Sequence, residues 1–385
     1  MRKNIAVLFP AFYRGGAEAV AVWILEALKQ QYDLSLFTFS EIDFDKINQQ
    51  YGTQLSSSEI ELITPYQSLK INRMVVNRFS LFTFRQYLLE SYYKKIANRY
   101  DFAISANNEM DLGKPGMQYI HFPMFGRGNE ISRKMMGYPV NIYNRTYHKL
   151  CEIASGYSDE RMKKNTTLAN SRWTANLIRD LYQIEPIIVY PPVVMKDSSP
   201  SDWENREEGF IYSTRIVSEK RVLEAIEIIG DLRKQGFNLH LHILSPGSDP
   251  AYREKVIDVQ HQNPDWVFIE ENLDRGTLSQ MISSHKYGIH MNSNEPFGIS
   301  IAECVKAGCI VFVPSGGGQE EAVGCIPELI IHHPSEAVST ISSVLSDPQK
   351  QKSILIKLSE SRGSFSTDTF CSSIRGIVER TLENQ

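Results

Sequence analysis

The residues best suited to chemistry fall into two charged sets. In IYSTRIVSEKRVLEAI, Arg215 follows an apolar run and Lys220 comes five residues later, at the start of a helical pattern. Two cations at a strand-to-helix turn suit a diphosphate whose charge grows as it departs. Cations are also common on solvated turns, so this pair needs a partner. IHMNSNEPFGISIAECVKAG supplies one, with seven residues between Glu295 and Glu303, Pro296-Phe297-Gly298 among them. Glu303 falls within the first two turns of the helix that follows. A carboxylate there can accept from both hydroxyls of a ribose, and the amides of Phe297, Gly298 and Ile299 can face phosphate or sugar oxygens. A helix-capping device plus a surface charge would use the same two glutamates. A third element is the turn PAFYRGGAEAV, in which Gly15 and Gly16 open a helix. Glycines let backbone amides approach a phosphate, although two glycines also make an ordinary tight turn. The spacing is not the G-x-G-x-x-G of nicotinamide and flavin binders.

These residues need strands to hold them. Short β-branched runs alternate with amphipathic stretches of helical length, the pattern of parallel sheets with crossover helices. Strands are expected at 4–9, 34–39, 102–105, 118–122, 166–169 and 187–190, with helices at 17–30, 84–99 and 172–181. Prolines, serines and charges without periodicity place a linker at 192–208. The alternation restarts with strands at 210–214, 239–244, 267–269, 287–291 and 310–313, and helices at 220–235, 251–262, 277–285 and 299–307. The expected architecture is therefore α/β, with two doubly wound Rossmann-like domains at 1–191 and 209–362 that face a central cleft. A terminal helix at 363–385 is expected to return to the first domain. Ligands of such sheets sit beyond the carboxyl ends of the strands, where the charged sets fall.

At 385 residues with 42% hydrophobic and 22% charged content, the chain has length for two cores. Collagen-like and disordered classes are excluded. No apolar run is long enough to span a membrane, and the amino terminus reads as a first strand instead of a signal peptide. Five cysteines without a C-x-x-C pair give neither a disulfide framework nor a cysteine zinc site, and Cys304 and Cys309 read as core residues. A cytoplasmic location follows. The net charge of -4 argues against a nucleic-acid partner. It conceals a basic first half, however: between Tyr66 and Lys149, thirteen Lys and Arg stand against five Asp and Glu. From Leu69 to Arg99 the basic residues interleave with Phe, Tyr and Leu, which suits anionic lipid headgroups or a lipid-diphosphate acceptor. A solvated helix face would read the same way. The exposed cations are expected to include Lys94, Lys95 and Arg99.

In order along the chain, Gly15-Gly16-Ala17-Glu18, ANSRWTANLI, VYPPV, Arg215 with Lys220, and the Glu295 to Glu303 segment resemble the retaining glycosyltransferases of the GT-B type, family four (glycosyl transferases group 1). IHFP, NS-x-WT, VYPP and IH-x4-NE-x-FGI-x3-EC are similar to dolichol-pathway α-1,2-mannosyltransferase members. The resemblance implies transfer of a hexose, mannose favoured, from a nucleotide-diphosphate sugar to a glycan or lipid-linked glycan. GDP-mannose is the favoured donor, with a UDP-sugar as the alternative, and no metal or other cofactor is needed. Arg215 and Lys220 would then hold the pyrophosphate, Glu303 the ribose, and Glu295 with the amides of Phe297 and Gly298 the hexose. Gly16 would let the first domain approach the phosphates, and His121, in QYIHFPMF, would stand near sugar and acceptor. Thr214 and Arg221 stand where many members have glycine, which leaves loop conformation and donor choice open. A nucleotide-sugar epimerase or hydrolase, or a non-catalytic nucleotide-sugar-binding partner subunit, would carry the same charged set.

Overall fold

The computed structural model describes residues 2–12, 15–65, 82–126, 128–135, 142–195 and 202–384. Part of the basic stretch and part of the expected linker lie outside the described residues. The chain forms two compact units, one of 1–192 with 367–385 and the other of 193–366.

The first unit is built on a parallel sheet of β1 (Asn4–Leu8), β2 (Asp33–Phe37), β3 (Ile60–Ile63), β4 (Phe102–Ser105), β5 (Met117–Ile120), β6 (Thr166–Ala169) and β7 (Ile187–Ile188). Their order across the sheet is β3-β2-β1-β4-β5-β6-β7. Helices cover both faces, so central strands are apolar runs without alternation: four of the five residues of β1 are buried. Ile5 pairs with Leu34 of β2 on one side and with Phe102 of β4 on the other. The order reverses between β1 and β4, the switch point at which such sheets open to ligands. The terminal helix Thr367–Glu383 belongs to this unit. Its Phe370, Ile374, Ile377 and Val378, spaced for one helical face, join the core cluster of Val20, Ile24 and Leu28. Arg375 Nε donates to the Ala27 carbonyl at 2.7 Å.

The second unit carries β8 (Glu207–Ser213), β9 (His240–Ser245), β10 (Val267–Glu271), β11 (His285–Ile289), β12 (Ile310–Pro314) and β13 (Ile330–Ile331). Their order is β10-β9-β8-β11-β12-β13, and every strand pairing among the described residues of this sheet is parallel. Here the switch point lies between β8 and β11, whose carboxyl ends carry the two charged sets. The fold is thus the doubly wound α/β architecture expected. Two strands were not anticipated. β3 reads Ile-Glu-Leu-Ile at a sheet edge with only Ile60 buried, and β13 is two residues long. Neither is long or apolar enough to declare itself by periodicity. The five cysteines are free thiols, with Cys304 and Cys309 buried.

Candidate active site

In the second unit, β8 ends at Ser213 and the chain runs through Arg215 into a short turn, Ser218–Lys220. Arg221 follows at φ 51, a left-handed turn that starts the helix Val222–Lys234. Tyr212, buried on β8, bonds its hydroxyl to the Lys220 carbonyl and accepts from the Met291 amide at 3.1 Å. One phenol thereby ties the loop after β8 to the loop after β11. The side chains meet as well: Lys220 Nζ pairs with Glu295 Oε2. Asn292 Nδ2 donates to the same oxygen at 3.3 Å, and His290 Nε2 lies 3.4 Å from it. Burial alone would raise the Glu295 carboxyl; the Lys220 ammonium and His290 outweigh it and hold Glu295 well below the usual carboxylate range. Burial keeps His290 below the usual imidazole value. Arg215 is exposed and forms no ion pair among the described residues.

The loop after β11 turns at Gly298, which caps the helix Ile299–Ala307 at φ +87. A side chain there would meet Ile301 Cδ1 at 2.5 Å as well as sit in the left-handed region. The Phe297 ring is buried and packs edge-on against Phe365 at 5.3 Å, so only backbone in this stretch is placed to meet a ligand. Glu303 projects from the second turn of the helix. It is buried and accepts from Arg275 Nη2 at 2.6 Å, a group that also donates to the Val194 carbonyl at 2.7 Å. Arg275 opens the helix Arg275–Ser284 after β10 and carries no motif of its own; only the fold brings it to Glu303.

Two further supports lie after β12, in Gly317-Gly318-Gln319-Glu320-Glu321. The glycines after β12 brace the Glu295 loop: the Gly318 amide donates to the Glu295 carbonyl at 2.8 Å. Gln319 Nε2 donates to the carbonyls of Pro314 at 2.7 Å and Ser293 at 3.2 Å. A Cβ on Gly317 would stand 2.8 Å from the Glu295 oxygen and 2.9 Å from that of Ser293, so glycine is what lets the two loops touch.

The first unit places Gly15, Gly16 and His121 after β1 and β5. Gly15 caps the helix Gly16–Leu28 with extended backbone, φ -158, and a Cβ on it would meet nothing within 4 Å. The turn therefore does not demand glycine; open space above it is the feature. His121 Nε2 lies 3.0 Å from the Ala106 carbonyl. A carbonyl only accepts, so Nε2 carries the proton and Nδ1 keeps its lone pair. Burial lowers the ring to about 4, with the Ala106 bond opposing. Asn108, at φ 62, accepts from the amides of His121 at 2.8 Å and Phe122 at 3.1 Å. Asn170 Nδ2 donates to the His121 carbonyl at 2.9 Å, and Trp173 stacks on Phe122 at 5.9 Å. The ANSRWT segment is thus the support of the His121 turn. Beneath it lies Glu109, fully buried and missed by sequence reasoning, which accepts from the Tyr182 hydroxyl at 2.6 Å and the Met124 amide at 3.1 Å.

One surface reading changes. Lys94 is not a free cation: it pairs with Glu90 at 2.7 Å and Asp111 at 2.8 Å, both carboxylates fully buried. Lys95 and Arg99 are exposed. Asp43-Phe44-Asp45 has the Asp-x-Asp spacing of some metal sites. Asp43, however, caps the helix Phe44–Tyr51, accepting from the Lys46 amide at 3.2 Å and pairing with Lys46 Nζ at 2.8 Å.

Residues 195–357 match the family Glycosyl transferases group 1. Across the whole chain the structure is similar to sucrose-phosphate synthase from Thermosynechococcus elongatus, at 14% identity and TM-score 0.70, covering 100% of both chains. It is also similar to Alr3699/HepE of Anabaena in complex with UDP and glucose, at 14% identity and TM-score 0.66, over 98% of this chain and 100% of that one. Likeness at such identity establishes the fold. The two Rossmann-like units have the GT-B fold, and the second carries a glycosyl transferases group 1 domain. More particularly, the chain is 23% identical over 312 residues to the GDP-Man:Man(3)GlcNAc(2)-PP-Dol alpha-1,2-mannosyltransferase of Dictyostelium discoideum, covering 69% of this chain and 60% of the relative. The chain therefore spans about 60% of the length of the curated relative it matches.

Proposed function

We propose that this chain transfers a hexose, mannose favoured, from a nucleotide-diphosphate sugar to a hydroxyl of a glycan or lipid-linked glycan, with retention at the anomeric carbon and no metal in the reaction. The observation that carries the proposal is the Lys220–Glu295 pair at the switch point of the second sheet, with Arg215 exposed beside it. There an ammonium and a guanidinium can meet a diphosphate while the carboxylate the ammonium leaves meets sugar hydroxyls. GDP-mannose is favoured because the curated relative is named for GDP-Man; a UDP-sugar is the alternative, since the Anabaena protein holds UDP and glucose.

In this reading the acceptor hydroxyl attacks the anomeric carbon on the face from which the diphosphate leaves. The carbon–oxygen bond to phosphate breaks, the bond to the acceptor forms, and the departing phosphate oxygen takes the hydroxyl proton. Catalysis is then positioning and charge stabilisation. Arg215 and Lys220 neutralise the leaving diphosphate, Glu303 takes the ribose, and Glu295 with the amides of Phe297, Gly298 and Ile299 takes the hexose. In the first unit, Gly15 and Gly16 leave room for phosphates, and neutral His121 offers Nδ1 to a sugar or acceptor hydroxyl.

Contact with the cytoplasmic face of an anionic membrane is a second part of the proposal. The helix Ile142–Ser155 exposes Ile142, Tyr143, Leu150 and Ile153 between 60% and 82%, alongside Arg145 and Lys149. Among the described residues no helix is long and apolar enough to cross a membrane.

The deciding measurement is a thermal-shift screen against GDP- and UDP-sugars, followed by NMR of the product made from the stabilising donor. An α-linked product from an α-linked donor sustains the proposal. Free hexose, an epimerised sugar nucleotide or binding without turnover would replace it with the hydrolase, epimerase or partner-subunit reading.

A further inference from the structure

At the opposite end of the second sheet, three imidazoles converge. His240 opens β9, His242 stands two residues along the same strand, and His285 opens β11. β8 runs between those strands, pairing Gly209 with His240 and Glu207 with His285. Residues two apart on a strand share a face. On β8 the intervening position is Gly209, and a Cβ there would lie 2.2 Å from His240 Nε2. The missing side chain is the space into which the rings turn. One nitrogen from each of His240, His242 and His285 falls within 4.8 Å of the others.

The hydrogen bonding suits a metal better than a closed polar core. His285 Nδ1 lies 2.7 Å from the Met281 carbonyl, so that nitrogen carries the proton and Nε2 is left with a lone pair. This is the arrangement by which backbone carbonyls orient metal-binding histidines. His285 Nε2 accepts from His240 Nε2 at 3.0 Å, a hydrogen bond that an ion bound to both nitrogens would replace. His242 Nδ1 is buried without a hydrogen-bond partner, with Glu270 Oε1 3.6 Å away, and its ring is held by stacking on Phe268 at 4.7 Å. A carboxylate completes the set: Glu207 Oε2 lies 3.4 Å from His240 Nε2 and 3.7 Å from His285 Nε2, with its side chain 54% exposed. Solvent can therefore deliver an ion.

We infer that His240, His242, His285 and Glu207 form a zinc site that ties together the starts of β8, β9 and β11. Three imidazoles and one carboxylate are a borderline-soft tetrahedral donor set. Bonds of about 2.0–2.2 Å place neighbouring ligand atoms roughly 3.4 Å apart, so small ring rotations close the cluster. The site takes no part in sugar transfer. It sits at the amino ends of the strands, and Arg215 and Lys220 follow the carboxyl end of seven-residue β8, roughly 20 Å away at the usual rise per residue. Cysteine spacing could not announce it, since no cysteine contributes.

The test uses the full chain stripped with chelator, then titrated with Zn2+ by calorimetry and with Co2+ by visible absorption. The inference expects about one ion per chain, the intense bands of tetrahedral Co2+, and a raised unfolding temperature on adding Zn2+. His240→Gln and His242→Gln should each weaken binding by about 100-fold or more, and Glu207→Gln by about 10-fold. Circular dichroism of each stripped variant must match the stripped parent for its titration to count; exposed Glu207→Gln keeps the test open should a histidine variant fail to fold. No saturable binding, octahedral Co2+ bands, or affinity unchanged in the folded variants would overturn the site.

Discussion

Lys220 and Glu295 form an ion pair across the carboxyl ends of neighbouring strands β8 and β11, although 75 positions separate them in sequence. Each side chain is less than one-fifth exposed, so the ammonium is held ready and partly desolvated. An arriving diphosphate would compete with Glu295 for it and free the carboxylate for the sugar. Lys220→Ala is therefore expected to lower kcat/KM by at least about 100-fold, with a fold that persists at a lower unfolding midpoint, because Glu295 loses its cation while Asn292 and His290 still face it. Steady-state kinetics beside a thermal melt makes the comparison. Full turnover by the variant would sink the role.

Glu303 and Arg275 form the second pair at 2.6 Å, with side chains 9% and 24% exposed. Arg275→Ala leaves a buried carboxylate without the cation that pairs with it. The expected cost is about 1–3 kcal/mol of stability, below that of a fully buried pair because Arg275 keeps some solvent. Glu303→Gln keeps the shape and an acceptor, so it should cost less stability while raising KM for the donor by about 10-fold. Urea unfolding of both variants together with donor titrations separates the effects. Equal losses in both measurements would make the pair purely structural.

The glycines of the two units make opposite demands. Gly317→Ala drives a methyl into the carbonyls of Ser293 and Glu295, which belong to backbone that cannot turn aside. It should destabilise by about 1–3 kcal/mol and raise the donor KM by displacing Glu295. Gly15→Ala meets open space in a backbone conformation any residue adopts, so stability should hold. If phosphates approach that amide closely, KM should still rise. A Gly15→Ala enzyme with parental kinetics would remove Gly15 from the binding surface.

Much of this was readable from sequence where local order is enough. Phe102–Ser105, Thr166–Ala169 and Ile299–Ala307 have the expected boundaries, because buried runs and a glycine-flanked helix are local signals. The charged ends of β8 and β11 were also visible, since a strand-to-helix turn identifies itself. Arg275, Glu109 and the histidine cluster were not. Each acts through a partner on another element: Tyr182 is 73 positions from Glu109, and His285 is 45 from His240. Lys94 misled for the converse reason. Its spacing marks a basic face, yet Asp111, 17 positions away, draws it inward.

Glu109 connects that hidden layer to pH. Burial raises its carboxyl to about 7 against the Tyr182 and backbone hydrogen bonds, from an ordinary value of 4.5. Between those values the folded chain holds a proton that the unfolded chain has lost. Stability should therefore fall as pH rises from about 4.5 to about 7, with the full penalty above that. The shift corresponds to an upper figure on the order of 3 kcal/mol. Glu90, raised by burial to about 8, acts in the same direction, so the test is a difference between proteins. Glu109→Gln can accept from the Met124 amide and donate to the Tyr182 hydroxyl, which then donates to the Phe125 carbonyl, 2.9 Å away. The variant should melt above the parent at pH 8, with the gap closing toward pH 5. A gap independent of pH would show that Glu109 does not titrate in this range.

The proposed membrane contact rests on the helix Ile142–Ser155. Ile142, Tyr143, Leu150 and Ile153 are exposed apolar or aromatic side chains, with Arg145 and Lys149 close by in sequence to meet anionic headgroups. Apolar insertion and charge attraction together give reversible binding. Leu150→Glu with Ile153→Glu removes apolar area and adds two negative charges at positions already 60% and 67% exposed, so the fold should be unaffected. In flotation with vesicles containing phosphatidylserine, the parent should float and the variant should stay at the bottom. High salt should weaken the parent's binding, since exposed charges are screened within about 10 Å at 0.1 M. Charge reversal at Lys95 and Arg99 tests the neighbouring cations, and Lys94 is excluded because reversing it would break the Glu90 and Asp111 pairs inside the unit. Parent protein that fails to float, or a variant that floats equally well, would remove the membrane from the proposal while leaving sugar transfer to a soluble acceptor intact.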